Sequence, residues 1–213
     1  MTGSRRLRCR LAVLLVLAGA AVAACSGPSS TFIASPDDDL VLKLPRSWST
    51  VRTGASADST TGQPDGGWIA VFDGAKDPDI KHVDLSANVP APVAYAQVSV
   101  MTADQASSMT PDKLRDLLLP FTKTAREQYA SDPRARTFQE IGDYEVRAPA
   151  GSGVHVIFSY DLGQGREVFD QMALVGSHRT RVYLLLVRCN QACYNSYRQQ
   201  IADVMKYFTV KVP

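Results

Sequence analysis

Apolar positions along the chain change period several times, and each change marks an element. Leu40-Val41-Leu42-Lys43-Leu44 alternates as a strand and stops at Pro45, with Trp48 just beyond. Gly67 to Phe72 reads as a second strand and Tyr95 to Met101 as a third, while Gly54 to Gly66 is a polar surface loop. Thr110-Pro111 announces a helix, Thr as N-cap and Pro at the first helical position. Leu114, Leu117, Leu118, Phe121, Ala125 and Tyr129 continue it as one stripe, kinked at Pro120 and ended by Asp132-Pro133.

Period two then returns. Thr137 to Val146 predicts strand with a turn at Gly142-Asp143, and Val154 to Tyr160 and Glu167 to Val175 flank a hairpin turn at Gly163-Gln164-Gly165. Arg181 to Arg188 has an unbroken apolar core, which places it centrally with both faces covered. Asn190 caps a last helix whose apolar face is Tyr194, Tyr197, Ile201, Val204, Met205 and Phe208, and Thr209 to Val212 adds an edge strand. Two amphipathic helices against a largely antiparallel sheet make an α/β sandwich of the α+β class.

The N-terminus follows a different rule. Arg5, Arg6, Arg8 and Arg10 precede an uncharged run from Leu11 to Ala24, too short for a comfortable membrane span. Basic residues, an apolar run and small residues ending in Val22-Ala23-Ala24-Cys25 resemble a lipoprotein signal peptide with its lipobox. Only a thiolate can attack the lipid donor, and small neighbours admit the peptidase. Ordinary secretory cleavage after Ala24 would leave an odd thiol at the mature end. Lipidation of Cys25 instead leaves Cys189 and Cys193 to pair in an oxidising compartment. The expected organisation is a signal peptide over 1–24, an acylated Cys25 with a tether to residue 38, and one domain over 39–213. The protein is expected on the extracytoplasmic face of the cell membrane.

Composition adds a correction. The 213 residues carry a formal charge of +2, but the leader holds four arginines and no acid, so the mature chain has 19 basic against 21 acidic residues. That balance excludes a nucleic-acid binder and predicts no general attraction to anionic lipid. A monomer held by its acyl chains is expected.

The run Leu42, Leu44, Pro45 and Trp48, with this order of elements ending in Phe208-Thr209-Val210, resembles the Mog1/PsbP-like proteins. Actinobacterial lipoproteins of the LpqN/LpqT type share the layout and also carry a lipobox. The resemblance spans residues 38 to 213 and implies a non-catalytic accessory or binding module of the cell envelope, with no catalytic residues to carry over.

Four candidate constellations remain. Cys189 and Cys193 lack the spacing of a redox pair and have no second pair to complete a zinc site, so a structural disulfide is expected. Asp73, Asp77, Asp79, His82 and Asp84 offer metal-binding groups, but not at calcium-loop spacing and with Lys76 and Lys81 among them, so a solvated polar loop is preferred. His82, His155 and His178 would serve an envelope hydrolase only beside a nucleophile and a carboxylate. Trp48, Trp68, Phe72 and Tyr95 belong to the core or line a cleft for an apolar, glycan or protein partner. No cofactor is called for. A structural lipoprotein without specific ligand is the third alternative.

Overall fold

A computed structural model describes residues 29–37, 39–57 and 64–211. Cys25 and the leader lie outside the described residues. The strands are β1 (Ser30–Ala34), β2 (Leu40–Pro45), β3 (Ser49–Ala57), β4 (Pro64–Asp73), β5 (Val93–Val100), β6 (Gln139–Ala148), β7 (Gly151–Asp161), β8 (Arg166–Gly176), β9 (Arg181–Asn190) and β10 (Thr209–Val210). The helices are α1 (Ala103–Ser108), α2 (Pro111–Arg115), α3 (Lys123–Gln128) and α4 (Gln191–Lys206), with 3₁₀ turns at Ile80–Val83 and Pro133–Thr137.

Two antiparallel sheets result, one ordered β1-β2-β10 and one ordered β3-β4-β5-β9-β8-β7-β6. The small sheet and α4 cover one face of the large one. There Leu40, Leu42 and Leu44 meet Leu185, Val187, Ile201, Val204 and Met205 in one core. The other face packs Leu114 and Phe121 on Val154, Val156, Phe158 and Phe169 in a second. β9 is buried from Val182 to Cys189, at the centre of the seven strands, as its unbroken apolar run requires. The fold is an α+β sandwich with antiparallel sheets.

Asn190 caps α4, its side chain accepting from the Cys193 amide. Burying each of Ile201, Val204 and Met205 contributes about 1.5–3 kcal/mol, which is what holds α4 to the sheet. Gly163 and Gly165, both at positive φ, turn the β7–β8 hairpin where the sequence places it.

Four expectations change. The stretch Gly54 to Gly66 is not all surface loop, because β3 runs on to Ala57 and β4 begins at Pro64. The long kinked helix is instead two short ones, α2 and α3. Pro120 cannot continue the ladder, and the Asp116 carboxylate takes the amides of Phe121 and Thr122 and the Thr122 hydroxyl. Thr122 then caps α3, and the Tyr160 hydroxyl holds the Pro120 carbonyl. Gly142 is not in a turn, because β6 runs on through a bulge between Glu140 and Gly142. Part of the expected tether is strand: Ser30–Ala34 pairs with β2, and Asp37 and Asp39 bind Arg181.

Candidate functional site

A cleft of about 500 Å³ opens between α4 and the outer strands of the large sheet. Its apolar walls are Ile141, Ile157, Met172 and Met205, and Arg198 and Lys206 stand on the α4 side. Ile141 is 46% exposed and neighbouring Tyr144 55%, so apolar surface continues outward over β6.

The floor is polar and built by register. Strands β7 and β8 pair Ile157 with Asp170 and His155 with Met172, which sets His155 and Asp170 diagonally on one face. His155 Nε2 lies 2.7 Å from Asp170 Oδ1, and the Tyr194 hydroxyl donates to Asp170 Oδ2 at 2.9 Å. Asp170 is 2% exposed, and two side-chain partners offset much of what burying its charge costs. Burial, and then the adjacent Asp170 carboxylate, hold the Tyr194 hydroxyl far above the usual tyrosine range, so it stays a donor. The bond to Asp170 occupies Nε2 of His155 and leaves its Nδ1 as the ring nitrogen open to a ligand. Tyr144, opposite His155 on β6, sets its ring at 5.9 Å from the imidazole.

A histidine oriented by a buried carboxylate is two-thirds of a nucleophilic site. The third part is not among the described residues lining this cleft, which include no Ser, Thr or Cys. The arrangement suits recognition of a polar group at the end of an apolar body.

His82 also meets a carboxylate, with Nδ1 2.6 Å from Asp73 Oδ2. Asp73 is fully buried and also accepts from the amides of Ala75 and Asp79, so the pair staples a loop. Asp79 caps the 3₁₀ turn and Asp84 caps Ser86. Among the described residues no three His, Cys, Asp or Glu are grouped to hold a metal ion. His178 sits in an exposed turn beside a cavity with Asp37 and Asp39, whose carboxylates Arg181 takes.

Trp48, Trp68 and Phe72 are buried in the core cluster on the α4 side of the large sheet. Trp48 donates to Gln200 and Trp68 to Thr53, each indole satisfied as it is buried. Tyr95 does line a cavity, of about 200 Å³, on the opposite face of the sheet with Leu118, Leu119 and the buried Arg188. Cys189 and Cys193 are joined as a disulfide, their Cα atoms 5.7 Å apart, where β9 passes into α4.

Sequence reasoning named His155 and Tyr194 singly and missed Asp170 and Arg198. The available signal was an acid within Val168 to Val175, an otherwise mostly apolar strand.

No protein-family model matches the chain, and no curated protein does. Several solved structures are similar to it. Cyanobacterial PsbP (CyanoP) of Synechocystis sp. PCC 6803 is 11% identical with a TM-score of 0.46, over 89% of this chain and 99% of that one. LpqN, involved in cell envelope biogenesis of Mycobacterium tuberculosis, is 14% identical with a TM-score of 0.45, over 86% and 91%. The Saccharomyces cerevisiae Ran-binding protein Mog1p is 8% identical with a TM-score of 0.44, over 86% and 96%.

Proposed function

We propose that the chain is a lipoprotein anchored through Cys25 on the extracytoplasmic side of the membrane, and that its α4 cleft binds an amphiphilic envelope ligand without transforming it. The ligand's apolar body lies on Ile141, Ile157, Met172 and Met205. Its hydroxylated or acidic head meets His155 and Arg198. The anchor is supported by the order of basic, apolar and small residues before Cys25. No helix among the described residues is long and apolar enough to cross a membrane.

The observation that carries the binding reading is a polar triad at the bottom of an apolar cleft, with the histidine held by Asp170 and no Ser, Thr or Cys among the described residues that line it. Calorimetric titration with octyl glucoside below its micelle concentration tests it. Saturable heat that His155→Ala weakens supports the cleft; a wild-type protein giving only heat of dilution refutes it. Separately, Cys25→Ala is expected to move the protein from the membrane to the soluble fraction.

A further inference from the structure

The small sheet has an outer face that turns away from the core. Along β1 and β2 the buried positions Leu40, Leu42 and Leu44 alternate with Val41, Lys43 and Pro45, and Phe32 stands opposite Lys43 in register. Phe32 is 68% exposed, the most exposed of the large apolar residues described. Lys43 Nζ lies 4.2 Å above the Tyr207 ring, and Lys206 Nζ is 5.7 Å from the same ring. Neither β1, β2 nor β10 carries an acid. Asp203 lines the groove between this sheet and α4, and Asp37 and Asp39, in the turn from β1 to β2 at the far end from Ser29, are both paired with Arg181. The mature chain's slight negative charge therefore conceals a local basic and aromatic surface.

That surface is also where the described chain begins. The Arg46 amide donates to the Ser29 carbonyl, which fixes Ser29 at the end of β2. Four residue steps separate Cys25 from Ser29, a reach of about 14 Å at full extension. An acyl group on Cys25 therefore brings Ser29 close to the headgroups, and Phe32 follows three residues later.

We infer that the outer face of the β1–β2–β10 sheet is the membrane-facing surface of the protein, lying on an anionic phospholipid bilayer with Phe32 entering the headgroup region. The inference rests on the proposed acylation of Cys25. Aromatic rings settle at the interface and lysines gain from anionic headgroups, so Phe32, Tyr207, Lys43 and Lys206 meet a bilayer by complementarity of both kinds. Acyl chains fix the distance from the membrane; this face fixes the orientation.

The test uses the full acylated protein, with acylation of the N-terminal peptide established first by mass spectrometry. Phe32→Cys and, on the opposite side of the large sheet, Thr124→Cys are each labelled with an environment-sensitive fluorophore. Both proteins go into vesicles of phosphatidylcholine and phosphatidylglycerol carrying spin-labelled lipid. Quenching at position 32 is expected to exceed that at 124 at least roughly threefold, and to fall when phosphatidylglycerol is omitted or in a Lys43→Glu background. Equal quenching at both positions, in protein whose Cys25 is acylated, overturns the orientation and leaves the anchor intact. An unacylated N-terminal peptide overturns the anchor, and the orientation with it.

Discussion

Two histidine–aspartate pairs of nearly the same length do different work in this molecule. Asp73 gives its carboxylate to His82 and to two backbone amides of its own loop, so the pair belongs to the chain that forms it. Asp170 gives its carboxylate only to side chains, His155 from β7 and Tyr194 from α4, and the pair faces an open cleft. A carboxylate bound by local backbone organises a loop, whereas one bound by side chains from separate elements orients a site. Distance alone does not separate the two; the identity of the other donors does.

The contrast is broken most severely by truncating the buried carboxylates. Asp73→Ala is expected to cost about 3 kcal/mol, since it orphans two amides and a histidine. Chemical denaturation measures this, while octyl glucoside binding stays unchanged. Asp170→Asn keeps the shape and costs less, about 1–2 kcal/mol, but turns one of the two acceptor oxygens into a donor, so His155 and Tyr194 no longer each donate to an oxygen of their own. Its affinity in calorimetry is expected to fall about tenfold, or about 1.4 kcal/mol. If Asp73→Ala abolishes binding and Asp170→Asn leaves it intact, the roles assigned to the pairs are reversed.

The histidines sharpen the same comparison with smaller effects on folding. His82→Ala and His155→Ala should each cost about 1 kcal/mol or less in stability. Only His155→Ala is expected to weaken the ligand.

How much of this was legible follows from the kind of signal each element carries. β9 announces itself by an unbroken apolar run, and α4 by an Asn cap with apolar residues at helical spacing. β1 gives no such sign, because Phe32 points outward and Ile33 is only partly covered; pairing with β2 makes it a strand. β3, rich in Ser, Thr and Gly, is an edge strand with little apolar alternation to betray it. The stripe from Leu114 to Tyr129 overrode the proline in the reading, whereas in the molecule Asp116 competes for the backbone and breaks the helix. The site was half legible. His155 and Asp170 are 15 residues apart, and only the β7–β8 register places them diagonally on one face.

A third carboxylate has an arginine partner instead of a histidine, and its effect shows in the pH dependence. Burial raises the Asp39 carboxyl, but hydrogen bonds from Ser35, Arg181 and Tyr183 outweigh it and hold it below the usual aspartate range. Its contribution is therefore full above the ordinary carboxylate range and lost as pH falls from there through the lowered value. Asp39→Asn is expected to flatten the acid limb of the stability curve, the difference from wild type being about 1 kcal/mol at neutral pH and vanishing in acid.

The central claim, that the cleft beside α4 is where this protein meets its ligand, is tested most directly by methyl NMR of the labelled protein titrated with octyl glucoside below its micelle concentration. The account predicts saturable shifts at Ile141, Ile157, Met172 and Met205, with the Met101 and Met109 methyls unmoved on the opposite face of the sheet. Shifts confined to other methyls, or none at all up to the micelle concentration, would contradict it.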